Sequence, residues 1–249
     1  MMTLTVVLPT YNERPNLDRV ARAILRHDGV RLLVVDDHSP DGTGEVADAL
    51  AREFDGRVEV LHRTGARGLG LAYVDGLRHA LGAGTDAIGQ MDADFSHDPA
   101  YIPDLLRGLE QHDLVIGSRY LRGVSVVNWP LHRIVLSAFA NRYIRFVTGL
   151  KPTDCTSGFR VWRRDALARL PLEHAEANGY AFLTEMLFQA ARAGLRIGEV
   201  PIIFVERLEG YSKVSSGVLI ESLLTPWRLL LRHGRLGDVA PPRNAAPRR

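Results

Sequence analysis

The sequence contains little cysteine, little net charge and no long apolar run. Cys155 is the only cysteine among 249 residues, so no disulfide can form within the chain, and a cytosolic protein fits this best. No apolar run reaches the roughly 18–20 residues needed to span a bilayer. No basic segment precedes the apolar residues near the N-terminus, so we expect no signal peptide. The net charge of +2 gives no reason to expect a nucleic-acid partner. These absences predict a protein that is soluble or lies on a membrane surface.

The composition is that of a globular protein. Of the residues, 46% are hydrophobic and 24% are charged, which fits one large domain or one domain with an appendage. The sequence shows no internal repeat. Its pattern predicts a main domain over residues 1–215, an amphipathic helical segment over residues 216–236, and a basic, disordered tail over residues 237–249.

Strand and helix signals alternate through the first half of the chain. Short apolar runs predict strands, and longer stretches with apolar residues at helical spacing predict helices. The predicted strands are 4–8, 30–35, 58–61, a run that ends at Asp92, and 114–116. The predicted helices are 16–25, 42–54, 69–81 and one that Pro99 opens. This alternation predicts an α/β fold with a mostly parallel sheet flanked by helices on both faces.

The second half is less regular. Helices are predicted over residues 131–149 and 182–193, and a strand-like stretch, 197–205, is broken by Pro201. A last, amphipathic helix is predicted over residues 218–231, with Thr225 among the residues of its polar face.

Polar residues follow four of the predicted strands directly. These clusters are residues 9–13, residues 36–43, Asp92 with Asp94, and residues 117–120. Ligands of such sheets bind beyond the carboxyl ends of the strands, which meet at one edge. The four clusters therefore predict a single site.

Two carboxylates one residue apart, Asp92 and Asp94, follow the apolar run 87–91. At a sheet edge they would repel each other unless a cation lay between them. Mg²⁺ and Mn²⁺ prefer carboxylate oxygens and usually share them with substrate phosphates. The pair predicts a metal–diphosphate site and hence nucleotide chemistry. Aspartates after strands also form turns and cap helices, and the pair alone leaves that alternative open.

Seven segments of the chain carry a resemblance to a known enzyme family. They are VLPTYNE (7–13), VVDDHSPDGT (34–43), RGLGLAY (67–73), MDADFSHDP (91–99), GSRY (117–120), DCTSGFR (154–160) and GYSK (210–213). In this order they resemble the family 2 inverting glycosyltransferases, which have a nucleotide-sugar-binding, GT-A-like α/β fold. The second, sixth and seventh segments resemble the polyprenyl (dolichyl) phosphate mannosyltransferases within that family. The match covers roughly residues 4–215.

The resemblance implies a reaction. Mannose would pass from GDP-mannose to a polyprenyl phosphate, with inversion by direct displacement and with Mg²⁺ or Mn²⁺ as cofactor. The products would be polyprenyl phosphate mannose and GDP. Two alternatives stay open: transfer from a UDP-sugar such as UDP-glucose to the same acceptor, and a non-catalytic subunit that binds a nucleotide-sugar.

The resemblance also implies which residues bind the donor. Asp92 and Asp94 would ligate the metal, with Ala93 between them and Ser96 at a position where relatives often have glutamine. The nucleoside pocket would consist of Pro9, Tyr11, Glu13, Asp36 and Asp37. Arg67 precedes a predicted helix, where backbone N–H groups attract phosphates, although a plain turn explains this segment equally well.

The acceptor implies a different set of residues. A phosphate monoester is already anionic near neutral pH, so the enzyme needs cations to hold it more than it needs a base. The candidate cations are Arg119, Arg133, Arg207 and Lys213. Ser137 follows Arg133 by four residues and shares its helix face. Residues 207–213 form a loop that could close over the diphosphate. Glu185 would position an arginine or the sugar.

A lipid acceptor requires an apolar approach. The last predicted helix has an apolar stripe flanked by basic residues, as in helices that lie in a membrane interface, although a helix packed on its own core has the same pattern. Residues 126–131 add a tryptophan and valines. We expect these two regions to face a membrane surface, with the protein peripheral on its cytoplasmic face. The sequence leaves open whether a partner protein anchors the chain.

Overall fold

The computed structural model describes residues 2–172, 180–206 and 216–236. Arg207, Lys213 and the predicted tail, 237–249, lie outside these residues. The strands are β1 Leu4–Thr10, β2 Val30–Asp36, β3 Val58–His62, β4 Ala87–Gln90, β5 Leu114–Ser118, β6 Val126–Val127, β7 Arg160–Arg163, β8 Ile197–Pro201 and β9 Phe204–Val205. The helices are α1 Arg14–Leu25, α2 Thr43–Glu53, α3 Leu69–Leu81, α4 Ile102–Gly108, α5 Leu131–Thr148, α6 Arg164–Leu167, α7 Tyr180–Arg192 and α8 Ser216–His233.

Seven strands form one sheet in the order β3-β2-β1-β4-β7-β5-β8. Neighbouring strands are parallel except at β7, which runs antiparallel to both β4 and β5. The short strands β6 and β9 form a separate parallel pair. The prediction of a mostly parallel sheet flanked by helices is confirmed.

Hydrophobic layers cover both faces of the sheet, which explains why β1 and β2 are almost entirely apolar. One layer includes Tyr73, Trp162 and Phe182 from α3, β7 and α7. The other includes Leu17 and Leu50 from α1 and α2. Fully burying one such side chain contributes roughly 1.5–3 kcal/mol.

Helix α3 packs very closely on the sheet at Gly76. A Cβ atom added there would lie 2.5 Å from a methyl carbon of Val7 and 2.7 Å from one of Val35. Real Cβ atoms do not approach other atoms so closely, so only glycine lets the helix sit at this depth. The contact fixes the depth of the middle of α3 on β1 and β2.

The structure corrects three of the expectations from sequence. Strand β4 ends at Gln90, two residues before Asp92, so the carboxylate pair lies in the following loop. Strand β7 was missed, and it separates β4 from β5. In α8, Thr225 is buried although the sequence pattern assigned it to the polar face. Among the described residues, no helix combines the length and apolarity required to cross a bilayer.

Candidate active site

The two aspartates at the end of β2 have different partners. Asp36 is the last residue of β2, and its carboxylate accepts hydrogen bonds from the backbone N–H of Ser39 at 3.3 Å and the hydroxyl of Thr10 at 3.4 Å. The carboxylate of Asp37 pairs with the guanidinium of Arg63 through Oδ1. Its Oδ2 accepts from the backbone N–H of Gly68 at 2.8 Å, so Asp37 holds the residue that precedes α3.

Arg63 is a site residue that the sequence analysis missed. It follows β3 directly, is only 8% exposed, and donates from Nε to Asp75 at 2.7 Å as well as pairing with Asp37. The sequence did contain a signal for Arg63, because a basic residue stands shortly after a predicted strand of the parallel sheet. Arg63 orients the Asp37 carboxylate at the sheet edge.

Arg67 bridges the ends of β1 and β2. Its guanidinium carbon lies 4.9 Å from the centre of the Tyr11 ring, and Nη1 donates to the Tyr11 hydroxyl at 3.0 Å. Nη2 donates to the carbonyl of His38 at 3.2 Å. The predicted donor-site residues Tyr11 and Arg67 therefore lie together with Asp37 at one edge of the sheet.

The other two residues of the predicted nucleoside pocket lie at β1 and the start of α1. Pro9 is inside β1, opposite Val35, and is buried. The backbone N–H of Glu13 donates to the Thr43 hydroxyl at 3.0 Å, and the carboxylate of Glu13 accepts from Asn16 at 3.1 Å. Glu13 thus ties the start of α1 to the start of α2.

Asp92 presents a partly open carboxylate. Its side chain is 36% exposed, and Oδ1 accepts a hydrogen bond of 3.0 Å from the hydroxyl of Tyr73 on α3. Burial first, and then the charge of Asp92, raises the pKa of Tyr73 well above its ordinary value, so the phenol remains a donor. The Asp94 charge also contributes to this rise in the pKa of Tyr73.

Asp94 is more enclosed than Asp92. It is 7% exposed, and Oδ1 accepts from the backbone N–H of Ser96 at 3.0 Å and from its hydroxyl at 2.5 Å. Ala93 is buried between the two aspartates. Ser96 therefore orients Asp94 within the turn, which is a role distinct from metal ligation.

His97 packs against the loop that contains Asp92 and Asp94. Its Nδ1 accepts from the backbone N–H of Asp92 at 3.1 Å, and its ring stacks on Phe159 with centroids 5.2 Å apart. Burial lowers the pKa of His97, in agreement with a neutral ring whose Nδ1 is an acceptor. His97 therefore has a structural role in this loop.

The carboxylate pair fits a hard divalent cation. Both side chains offer oxygen ligands, and Asp92 is open on its outer side. The described part of the chain contains no group of three or more His, Cys, Asp or Glu side chains that could hold an ion by itself. A cation at Asp92 and Asp94 would therefore complete its coordination with water and with oxygens of a bound diphosphate, as Mg²⁺ usually does.

Arg119 follows β5 and is held by Asp154. Nε and Nη2 each donate to the Asp154 carboxylate at 2.7 Å, and Nη2 also donates to the Thr156 hydroxyl at 2.8 Å. Burial raises the pKa of the Asp154 carboxyl, but the Arg119 guanidinium and the hydrogen bonds to the carboxylate outweigh it and hold that pKa below its usual value. Asp154 is a second residue whose role the sequence analysis missed, although its segment was part of the family resemblance.

Arg133 and Ser137 on α5 face the segment that contains Arg119. The Arg133 guanidinium carbon lies 4.1 Å from the centre of the Trp129 ring and pairs with Glu206. The Tyr120 hydroxyl donates to Ser137 at 2.7 Å. The Arg119 guanidinium carbon is 5.7 Å from the same Trp129 ring. Trp129, one of the residues 126–131 that are predicted to face a membrane, thus contacts the guanidinium groups of both arginines.

The loop before β7 connects the carboxylate pair with the arginines. A Cβ atom added to Gly158 would lie 3.5 Å from both carboxylate oxygens of Asp92, and Asp154 in the same loop holds Arg119. Glu185 lies on α7 and is 8% exposed. The loop before β7 thus lies against Asp92 and also holds Arg119, at the carboxyl ends of β4 and β5.

Comparison with known proteins gives the family. Residues 5–170 match the family model described as glycosyl transferase family 2. An undecaprenyl-phosphate mannosyltransferase from Micrococcus luteus is 46% identical over 237 residues, covering 93% of this chain and 96% of the relative. A polyprenol monophosphomannose synthase from Mycolicibacterium smegmatis is 44% identical over 220 residues, covering 88% of this chain and 83% of the relative.

Solved structures share the fold. A mannosyltransferase from Pyrobaculum calidifontis, in complex with GDP-Man and Mn²⁺, matches with a TM-score of 0.63 at 20% identity, over 94% of this chain and 66% of that chain. A second match is glucosyl-3-phosphoglycerate synthase from Mycobacterium tuberculosis, in complex with Mn²⁺, UDP and glucosyl-3-phosphoglycerate. The TM-score is 0.64 at 23% identity, and the match covers 94% of this chain and 81% of that chain. The predicted GT-A-like fold and the predicted resemblance are confirmed, and the chain belongs to glycosyl transferase family 2.

Proposed function

We propose that this chain transfers mannose from GDP-mannose to a polyprenyl phosphate and releases polyprenyl phosphate mannose and GDP. The two near-full-length relatives named above carry names of this activity. The structural observation that carries the proposal is the position of two arginines beside a carboxylate pair. Arg119 and Arg133 meet at the Trp129 ring, and the loop that holds Arg119 also lies against Asp92. Such an arrangement suits an anionic acceptor that must approach a diphosphate donor.

The donor side would bind the nucleoside and the diphosphate. Carboxylates such as Asp36 and Asp37 can accept hydrogen bonds from ribose hydroxyls and from guanine N–H groups. Tyr11 offers an aromatic wall, and Arg67 a cation near the phosphates. Asp92 and Asp94 would hold Mg²⁺ or Mn²⁺, which when bound supplies positive charge against the departing diphosphate.

The acceptor side would hold the nucleophile without deprotonating it. An oxygen of the polyprenyl phosphate forms a bond to the anomeric carbon while the bond from that carbon to GDP breaks, and the bonding electrons leave with GDP. Arg119 and Arg133 offer paired donors that match phosphate oxygens. Ser137 adds a hydroxyl on the same helix face. Because the phosphate is already ionised, Glu185 has a positioning role.

Arg207 and Lys213 complete the proposed set of cations. They belong to the segment 207–213, which follows Glu206, the partner of Arg133. We assign them to the diphosphate of the donor, over which this segment would close.

The lipid part of the acceptor would reach the site from a membrane surface. Helix α5 exposes Leu131, Phe139 and Phe146 at 74%, 61% and 76%, and α8 exposes Trp227 and Leu231 at 48% and 83%. The two helices are in contact, since the Tyr143 hydroxyl donates to the carbonyl of Leu223 at 2.7 Å. Basic residues that are exposed on the same two helices are Arg142, Arg145, Arg228 and Arg232.

This combination of apolar and basic side chains suits an anionic interface. We therefore assign the chain to the cytoplasmic face of a membrane as a peripheral protein. A partner protein that anchors the chain would use the same surface. Binding of the isolated protein to vesicles supports direct contact with the membrane, and no binding supports an anchoring partner.

A donor screen tests the function. Purified protein, Mn²⁺ and a short-chain polyprenyl phosphate are mixed with radiolabelled GDP-mannose or UDP-glucose, and the lipid product is counted. Label from GDP-mannose alone supports the proposal. Label from UDP-glucose alone contradicts the proposal that GDP-mannose is the donor. If neither donor gives a product, the result supports a non-catalytic subunit.

A further inference from the structure

The indole nitrogen of Trp129 is a buried hydrogen-bond donor without an acceptor. Trp129 lies in the connection between β6 and α5, and no described residue accepts from its Nε1–H. The other such atom in the described part of the chain is Nε2 of Gln90, inside the core. Nearly all buried polar groups in proteins are paired, so an unpaired donor beside a ligand site calls for an explanation.

The surroundings of Trp129 hold its ring in one orientation. The Arg133 guanidinium carbon lies 4.1 Å from the ring centre, and the Arg119 guanidinium carbon lies 5.7 Å from it. Phe204 packs edge-on, with centroids 5.4 Å apart and the planes at 74°. The indole N–H therefore lies in a region that also contains two guanidinium groups, and the partner that suits all three is an oxygen anion.

The carboxylates of Asp154 and Glu206, in this region, form ion pairs with the two arginines. Asp154 accepts from Arg119, and Glu206 pairs with Arg133, while neither accepts from Trp129. An indole N–H is a donor only, so neither guanidinium can satisfy it. No described residue therefore supplies the acceptor, and an oxygen of a bound molecule would satisfy this donor.

We propose that Trp129 is a ligand of the acceptor phosphate. Its Nε1–H donates a hydrogen bond to a phosphate oxygen, and its ring holds the Arg133 guanidinium in place by stacking. This inference rests on the proposed function, in which Arg119 and Arg133 receive the phosphate of the polyprenyl acceptor. It adds a second neutral donor, beside the Ser137 hydroxyl, to a site that contains two ion-paired arginines.

The test removes the N–H and keeps the shape of the side chain. Replacing Trp129 by β-(3-benzothienyl)alanine puts sulfur in place of the N–H, and Trp129→Phe is the simpler second variant. Both are assayed as full-length protein with GDP-mannose, Mn²⁺ and farnesyl phosphate. We expect the KM for farnesyl phosphate to rise about tenfold, as for the loss of one hydrogen bond to a charged group, while the KM for GDP-mannose stays the same. An unchanged acceptor KM in the benzothienyl variant overturns the inference.

A second measurement does not depend on turnover. The chain contains three tryptophans, so the indole ¹⁵N–¹H signal of Trp129 is assigned by its loss in Trp129→Phe. Farnesyl phosphate should move this signal downfield in the wild-type protein. A signal that does not move at saturating farnesyl phosphate contradicts the proposed contact.

Trp162 offers a matched control because its indole already has a partner. Its Nε1 donates to Oε1 of Gln90 at 2.7 Å within the core. Trp162→Phe should lower the Tm and leave the acceptor KM unchanged, and an equal rise in acceptor KM would show that the effect at Trp129 is structural. If Arg133→Ala raises the acceptor KM and the benzothienyl variant does not, the inference about Trp129 fails while the proposed function stands. If the wild-type protein makes no product from polyprenyl phosphate, the proposed function itself fails.

Discussion

Tyr73 donates a hydrogen bond of 3.0 Å to Oδ1 of Asp92, from α3 to the loop after β4. The residue that precedes the same helix, Gly68, donates its backbone N–H to Asp37 at 2.8 Å. Helix α3 thus contacts both the carboxylate proposed for the nucleoside and a carboxylate proposed for the metal. Because Gly76 fixes the depth of α3 on the sheet, the relative position of the two carboxylates depends on this helix.

Replacing Tyr73 by phenylalanine should weaken metal use. The change removes the hydrogen bond that orients Asp92, and loss of such an outer contact typically lowers metal affinity about tenfold or more. The Mn²⁺ concentration that gives half-maximal mannose transfer measures this change in metal affinity. Tyr143→Phe is the matched control, because it also removes the hydrogen bond of a tyrosine hydroxyl, here of 2.7 Å to the carbonyl of Leu223, between α5 and α8. Equal Mn²⁺ requirements in the wild type and Tyr73→Phe would show that Tyr73 does not orient a metal ligand.

Replacing Asp154 by asparagine should destabilise the protein strongly. The change leaves the Arg119 guanidinium, 7% exposed, without its carboxylate, and breaking a buried ion pair costs about 3–5 kcal/mol. Urea unfolding of the two proteins gives the free energy of unfolding. Arg107→Ala, which removes an exposed pair with Asp104, should cost no more than about 1 kcal/mol. A loss of the same small size in Asp154→Asn would mean that the Arg119 pair contributes little.

The same pair predicts a pH dependence. The pKa of Asp154 is lower in the folded protein than its ordinary value of 3.8, so the pair stabilises the fold at pH values above 3.8. This contribution is lost as the pH falls below 3.8 through the folded pKa, because protonation then occurs in both states. The difference in unfolding free energy between wild type and Asp154→Asn should therefore shrink in acid. A difference that grows as the pH falls from 6 to about 3 has the opposite sign and would contradict the account.

Replacing Arg133 by alanine should act on the acceptor far more than on the donor. A lost contact to a charged group costs roughly 1.5–3 kcal/mol, which corresponds to a rise of about tenfold or more in the KM for polyprenyl phosphate. The KM for GDP-mannose should change little. Steady-state kinetics with each substrate varied in turn gives both values, with Arg107→Ala as the control for removing an arginine. Equal rises in both KM values would indicate general damage to the fold.

The exposed apolar faces of α5 and α8 predict binding to vesicles. The double change Phe139→Asp and Phe146→Asp should abolish co-sedimentation with phosphatidylglycerol-containing vesicles, because both side chains are largely exposed and apolar. Arg107→Glu alters the net charge by the same amount on α4 and should leave binding intact. If the wild-type protein does not sediment with such vesicles, the face serves another partner, such as an anchoring protein.

The sequence predicted local elements well where the hydrophobic pattern is strong. The helix predicted over residues 69–81 coincides with α3, Leu69–Leu81. Strand β7 was missed because its sequence, RVWR, begins and ends with arginine. The structure buries Arg160 completely by giving its guanidinium three backbone carbonyl acceptors, those of Ser157, Leu183 and Cys155. No local pattern can reveal an acceptor such as the Leu183 carbonyl, which comes from the distant helix α7.

Long-range pairing limited the prediction of the site in the same way. The strand pattern of the sequence placed Asp37, Arg119 and the carboxylate pair at one edge of the sheet, and in the structure they follow the carboxyl ends of β2, β5 and β4. It could not show that Arg63 holds Asp37 or that Asp154 holds Arg119, since these partners are 26 and 35 residues apart in the chain. Trp129 was considered only as a residue of the membrane face, and the structure adds its contacts with the guanidinium groups of Arg119 and Arg133.

The most direct test of the account is mannose transfer by Asp94→Ala. Labelled mannose is followed from GDP-mannose to polyprenyl phosphate at a Mn²⁺ concentration that saturates the wild type. We expect transfer to fall by at least about 100-fold, because the change removes one of two carboxylates for the cation that neutralises the leaving diphosphate. Transfer at the wild-type rate would contradict a metal site at Asp92 and Asp94, and with it the proposed mechanism.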